Sequence, residues 1–170
     1  MASETGNAIK TVMLRELRAL DRELAAYPDE QSIWQTPPGI SNSAGNLALH
    51  MAGNLRHFVG FVLGGTSYTR DRDAEFAARD ISRSEVSSII MTTIEELDEA
   101  FAKITDDQLA ADYPLPLFDN RYKTEDWLIH LAVHLSYHLG QIDYHRRLVT
   151  GSAETVNTVN PRELNPAGRS

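Results

Sequence analysis

The chain has 170 residues, of which 42% are hydrophobic and 24% are charged. This length suffices for one domain, and the composition is ordinary for a soluble globular protein. A formal charge of -8 argues against a nucleic-acid-binding protein, which would normally carry a basic patch. Because the sequence contains no cysteine, disulfides, thiolate metal sites and a cysteine nucleophile are excluded. The first residues lack the basic and apolar regions of a signal peptide, and no apolar run reaches the roughly 20 residues that cross a bilayer. We therefore expect a cytoplasmic protein with neither a membrane nor a nucleic-acid partner.

Two helices are predicted in the first half of the chain. Apolar residues recur every three or four positions over 7–27, with charged residues on the opposite side. A proline- and glycine-containing loop follows, and Asn42 or Ser43 then caps a second helix that runs to about position 63. The polar stretch 66–80 is predicted to be a connecting loop, and loops of this length in compact domains are often functional.

Two further helices are predicted in the second half. Ser82 and Glu85 match a capping box that opens a helix running to about position 103. Thr124 is predicted to cap a last helix of about 39 Å at 1.5 Å per residue. Strand patterns are nearly absent, so we predict an all-α fold, a four-helix bundle over residues 1–150. The polar segment 151–170 is predicted to be an extended or surface-packed tail, with a lid or a dimer arm as alternatives.

A row of four histidines lies on the last predicted helix: His130, His134, His138 and His145. Steps of four and seven residues keep their side chains near one face of the helix. Imidazoles four residues apart are close enough to share one ion. The row therefore predicts a metal site.

The second predicted helix carries a polar stripe of Asn46, His50, Asn54 and His57 among mostly apolar or small residues. Buried polar groups need hydrogen bonds or a metal, so this stripe is expected to face the histidine row inside the bundle. His50, His134 and His138 would then supply three nitrogen ligands and leave one or more coordination positions open, as in reactive metal sites.

Other polar residues are predicted to surround these ligands. The carboxamides expected to orient the ligands or a bound water are Asn46, Asn54 and Gln141. His130 is predicted to lie behind the ligands or at the surface. His57 and His145 are about 10.5 Å along their helices from the nearest ligand, too far to join one ion, and are expected to be exposed or to line the pocket mouth. A hydrogen-bonded polar core that fixes the helix register is the alternative to a metal.

The segment 134–141 reads HLSYHLGQ and resembles the HxxxHxGQ signature of the DinB-like superfamily. Segments 41–54 and 70–76 are similar to its DUF1572-type branch. The resemblance implies an up-down-down-up four-helix bundle, commonly homodimeric, with a divalent metal held by three histidines that map onto His50, His134 and His138. The implied metal is nickel or zinc, with iron or manganese as alternatives. Some members of the superfamily are transferases or isomerases that use low-molecular-weight thiols.

Two functions of different classes follow as predictions. The first is a metal-dependent transferase or hydrolase that acts on a small molecule, with a thiol cosubstrate as one option and Glu75 in the long loop as a candidate general base. The alternative is a non-catalytic metal- or ligand-binding protein related to stress. A plain helical interaction module would leave the polar stripes unexplained.

Overall fold

The computed structural model describes residues 3–164, and these residues form helices without any strand. The π-helical segment Arg56–Phe61 continues α3 directly, and a short 3-10 turn covers Pro161–Leu164. The α-helices of the described residues, in chain order, are α1 (Glu4–Ala25), α2 (Glu30–Ile33), α3 (Ala44–Leu55), α4 (Arg72–Ala77), α5 (Arg83–Phe101), α6 (Asp106–Ala110) and α7 (Thr124–Thr150). The predicted all-α class is therefore confirmed.

Four longer helices carry the core. α1 packs against both α5 and α7, and α3 packs against the same two helices on the other side. The predicted apolar stripe of α1 is buried, with Met13, Leu17 and Leu20 fully inaccessible to solvent. None of the described helices combines the length and apolar character that a bilayer crossing requires.

Helix starts follow the capping residues closely. The serines whose side chains accept a backbone N–H at a helix start are Ser3 in α1, Ser43 in α3 and Ser82 in α5. The capping box formed by Ser82 and Glu85 is confirmed. The prediction that Thr124 caps the last helix is wrong, because Lys123 occupies the N-cap position. The Thr124 hydroxyl instead donates to the carbonyl of Ala111, tying the start of α7 to the end of α6.

The stretch 66–80 is not the plain loop that its polar sequence predicts, since it contains α4. The Asp71 side chain caps this helix by accepting the N–H of Ala74. The Asn46 amide on α3 donates to the carbonyls of Glu75 at 3.0 Å and Ala78 at 3.0 Å, at the end of α4. A six-residue helix is too short to show an apolar period, and tertiary hydrogen bonds stabilise it instead.

The segment after α7 lies against α1. The Thr158 hydroxyl donates to Glu23 at 2.7 Å, and Arg22 forms an ion pair with Glu163 at 3.2 Å. Arg146, buried in α7, contacts both Glu23 and the carbonyl of Glu154. This segment is therefore packed on the surface as far as it is described. The rest of the predicted tail, 165–170, and the first two residues lie outside the described part of the chain.

Candidate metal centre

Three histidines from two helices come together where α3 faces α7. His50 lies in the middle of α3, and His134 and His138 lie on successive turns of α7. One ring nitrogen from each of the three lies within 4.8 Å of the other two. The His50 ring stands nearly perpendicular to both partners, with centroid separations of 5.4 Å. We call these three residues the histidine cluster.

The histidine cluster is partly shielded from solvent, and this burial lowers the pKa of His134 and His138. His50 is buried, whereas His134 and His138 are partly buried. Burial and then the neighbouring His138 lower the pKa of His134 to about 4. Burial also lowers the pKa of His138, against a hydrogen bond to Gln141 that raises it. Neutral imidazoles expose lone pairs, which is the state that a metal ion requires of its ligands.

Hydrogen bonds on the far side of two rings fix which nitrogen carries the proton. His138 Nδ1 lies 2.6 Å from Gln141 Oε1 and donates to it, so Nε2 carries the lone pair. His50 Nδ1 lies 3.0 Å from Glu75 Oε2. An ionised carboxylate only accepts, so Nδ1 of His50 carries the proton and Nε2 is free for a ligand bond. A carboxylate or carbonyl behind a histidine is the arrangement that orients metal-binding imidazoles.

The donor set fits a divalent cation. The Nε2 atoms of His134 and His138 lie 3.1 Å apart. Two nitrogens bound to one tetrahedral zinc at 2.0–2.1 Å would be about 3.3 Å apart, so a small movement would suffice. In addition, Asn54, one turn beyond His50 on α3, has a buried side-chain oxygen without a hydrogen-bond partner among the described residues. Because buried acceptors normally have a hydrogen-bond partner, we expect a water or a ligand beside this oxygen.

The environment of Glu75 differs from the one expected of a general base in a loop. Only 7% of its surface is exposed, and both oxygens accept hydrogen bonds. Arg70 donates to them from Nε at 2.8 Å and from Nη2 at 2.9 Å, in addition to the bond from His50. Burial raises the pKa of Glu75, but the hydrogen bonds from His50 and Arg70 outweigh it and hold the pKa below the usual value. Glu75 thus lies behind the His50 ring with both oxygens engaged, a geometry that argues against the predicted role as a general base.

Two more residues complete this support, and neither was singled out from the sequence. Arg70 forms the bidentate pair with Glu75 and so holds the carboxylate in place. Gly53, on α3, leaves room for that carboxylate, because a Cβ at this position would collide with it. The available signal was the cluster of charges between positions 70 and 75, in a segment too short to show periodicity.

The residues that were predicted to surround the three histidines do not all contact them. Gln141 contacts His138 directly, as described above. Asn46 donates to the backbone carbonyls of Glu75 and Ala78, so it contacts the histidine cluster only through α4. His130 is exposed, and its ring stacks between those of Trp127 and His134, with centroid distances of 4.9 and 6.0 Å. This stacking supports the His134 ring on one side.

The last two histidines differ from each other. His57 is half-buried beside Phe58 and Phe61, and burial followed by the charge of Arg70 lowers its pKa. Of the two expectations for His145, exposure is wrong, since only 4% of its surface is accessible, but its side chain does line a cavity beside α7. His145 Nε2 donates to a backbone carbonyl at 2.9 Å, and Nδ1 accepts from the Tyr27 hydroxyl at 2.7 Å. It is therefore a hydrogen-bonded core histidine.

Comparison with known proteins defines the family but not the activity. No protein with a curated description matches this chain. Residues 4–162 match the model of a family described as a protein of unknown function, DUF1572. Since this match covers nearly the whole chain, the protein belongs to the DUF1572 family.

Proposed function

We propose that this protein binds one divalent metal ion through His50, His134 and His138 and that it is a metal-dependent transferase or hydrolase acting on a small molecule. The observation that carries the proposal is the convergence of three largely shielded imidazoles from two helices, two of them oriented from behind by hydrogen bonds. A structural zinc site would normally have four protein ligands, whereas three leave a position for water or substrate.

A divalent cation held there would act as a Lewis acid and lower the pKa of a water or thiol that binds to it. The chain's own residues prepare the site. Glu75 and Gln141 orient the rings of His50 and His138, and the Phe76 ring lies 4.8 Å from that of His50. The side-chain oxygen of Asn54, which has no partner among the described residues, can accept a hydrogen bond from a bound molecule. Because the chain has no cysteine, a thiol used in the reaction would come from a cosubstrate.

Nickel or zinc is the proposed ion, with iron or manganese as alternatives, because imidazole ligands suit several of these metals. The HxxxHxGQ residues lie at the centre of the site, which supports the proposal that this family belongs with the DinB-like superfamily and shares its up-down-down-up bundle. The absence of cysteine fits the reducing cytoplasm, where we expect the protein to work.

A second candidate function rests on the hydrogen bonds made by Glu75. Both oxygens of this carboxylate, which contacts a proposed ligand, are engaged, so it is not free to exchange protons with a substrate. This favours a non-catalytic metal-binding protein as the alternative.

We also propose a homodimer. α7 exposes a row of apolar side chains next to its ligand-bearing face, including Val133 at 63% and Tyr137 at 62% exposure. Exposed apolar patches of this kind are typical of interaction surfaces.

Elemental analysis of protein purified without a histidine tag tests the metal. We expect about one metal ion per chain in the wild type, with loss of the ion in the His50→Ala, His134→Ala and His138→Ala variants. His57→Ala is the matched control, because it removes an imidazole that packs against Phe58 and Phe61 and is not a proposed ligand. A wild type that contains no metal, and whose melting temperature does not change with added Ni²⁺, Zn²⁺, Fe²⁺ or Mn²⁺, would refute the proposal. An activity screen with and without thiol cosubstrates then separates the enzyme from the non-catalytic alternative.

A further inference from the structure

A cavity of about 370 Å³ opens between the loop before α3 and the C-terminal half of α7. We call this space the α7 cavity. Its volume lies within the range of pockets that bind small organic ligands, roughly 300–1,000 Å³. Four side chains give it apolar walls: Ile40, Leu47, Tyr144 and Leu148. Tyr144 and Leu148 are 77% and 59% exposed, so they form a rim that is open to solvent.

Hydrogen bonds hold the walls of the α7 cavity apart. The loop contains a tight turn, in which the N–H of Ile40 donates to the carbonyl three residues earlier at 2.9 Å. Pro38 and Gly39 occupy its two central positions, and Gly39 has a φ of 86°, which is the pattern of a type II turn. From the helix side, the buried His145 donates from Nε2 to the carbonyl of Gln35 at 2.9 Å and so ties the loop to α7. The space is therefore largely preformed, as ligand sites usually are.

The described residues that line the α7 cavity include no charged side chain. Its polar members are Ser41, Asn42, Gln141 and His145. The His145 ring is neutral, because Nδ1 accepts from the Tyr27 hydroxyl at 2.7 Å while Nε2 carries the proton. A charged group that leaves water without a partner of opposite charge loses much free energy. The lining therefore suits an uncharged molecule.

Gln141 supplies a directed hydrogen-bond donor in this wall. Its Oε1 accepts from Nδ1 of His138 at 2.6 Å, which fixes the orientation of the carboxamide. The amide nitrogen of the same group carries two hydrogens and has no hydrogen-bond partner among the described residues. A carbonyl oxygen of a molecule in the cavity would accept one of them.

We propose that the α7 cavity binds an uncharged, mainly apolar molecule that carries a carbonyl oxygen, to which Gln141 donates a hydrogen bond. The inference goes beyond the proposed function, because it requires no metal ion and uses a space that none of the three proposed ligands lines. Gln141 also contacts His138, so an occupant of the cavity would touch the residue that orients a proposed metal ligand.

Equilibrium dialysis of the full-length protein against three probes of similar size tests the ligand class. Methyl naphthyl ketone carries a carbonyl oxygen, ethylnaphthalene has none, and naphthoate is ionised at neutral pH. In the wild type, the ketone should bind, and naphthoate should bind at least about tenfold more weakly, because its charge finds no partner in the lining.

Two variants at exposed positions locate the binding site and leave the buried core unchanged. Leu148→Glu places a carboxylate at the rim and should weaken binding of the ketone about tenfold. Met91→Glu, at an exposed position on α5, is the matched control and should bind the ketone as the wild type does. In Gln141→Leu, the preference for the ketone over ethylnaphthalene, taken as the ratio of their dissociation constants, should fall by roughly two- to twelvefold, the contribution of one hydrogen bond.

Several results would overturn the proposal. The site assignment is wrong if the ketone does not bind, if naphthoate binds equally well, or if Leu148→Glu binds the ketone as tightly as the wild type. An unchanged ratio in Gln141→Leu refutes the hydrogen bond and with it the proposed recognition of a carbonyl group. None of these measurements depends on metal content, so failure of the cavity assignment and failure of the metal site remain distinguishable.

Discussion

Substitution of Glu75 by glutamine tests how the proposed metal ligand His50 is oriented. In the wild type the carboxylate accepts one hydrogen bond from His50 at 3.0 Å and two from Arg70 at 2.8 and 2.9 Å. Glutamine has nearly the same shape but only one acceptor oxygen. If that oxygen faces His50, the amide N–H₂ faces the guanidinium of Arg70, and donor then opposes donor.

The expected loss of affinity follows from this change. Residues that orient a metal-binding histidine contribute about 10- to 100-fold to metal affinity. This corresponds to about 1.4–2.7 kcal/mol of binding free energy for Glu75→Gln. The loss of charge-assisted hydrogen bonds should also lower the free energy of unfolding of the metal-free protein by about 1.5–3 kcal/mol.

The chain offers a matched control in Glu96. This residue forms an equivalent bidentate pair with Arg56, at 2.8 and 2.9 Å, but contacts no histidine of the cluster. Glu96→Gln should therefore lower the free energy of unfolding by a similar amount and leave metal affinity unchanged. Dissociation constants for Zn²⁺ and Ni²⁺ from competition with a chromophoric chelator, combined with urea unfolding, give both quantities. An affinity for Glu75→Gln within twofold of the wild type, or an equal loss in Glu96→Gln, would refute the orienting role.

Four further substitutions have defined outcomes. Gly53→Ala should displace the carboxylate of Glu75 and weaken metal binding, measured by the same competition. At Gly140 a Cβ would meet no described atom within 4 Å, so Gly140→Ala should instead stabilise α7 by about 0.5–1 kcal/mol. Burial lowers the pKa of His145, so its folded-state pKa lies below the unfolded value of about 6.5. The metal-free wild type should then lose more stability than His145→Gln as the pH falls through 6.5, because the unfolded state binds the extra proton; equal pH dependence in urea unfolding would contradict this. Val133→Glu should convert a dimer to a monomer in light scattering, and an unchanged mass would argue against the α7 interface.

Much of the histidine cluster could be predicted from the sequence, because spacing within single helices places its members. A spacing of four residues places His134 and His138 on one face whatever surrounds them. The polar stripe that contains His50 is likewise visible within one helix. The same reasoning failed for His145. Its burial depends on contacts with Tyr27 and with the loop before α3, and the spacing of residues within α7 carries no information about these contacts.

The Arg70–Glu75 pair could not be predicted for a related reason. α4 has six residues, and the structure gives it a cap at Asp71 and a hydrogen-bonding partner in Asn46 rather than an apolar face. Its sequence therefore reads as a polar loop. The charges of Arg70 and Glu75 look like solvated surface until this segment is placed against α3, where Glu75 is buried and Arg70 is half-buried.

The position of Asn46 on α3 links the fold of this region to the metal site. Asn46 lies four residues before His50 on the same helix, so the two side chains project from adjacent turns. Asn46 holds the end of α4, and α4 carries the carboxylate that orients His50. One turn of α3 thus supplies both a proposed ligand and the anchor for the residue that orients it. The distance between His50 and Glu75 is set by the hydrogen bonds between α3 and α4, so metal affinity should depend on the docking of a helix that contributes no ligand of its own.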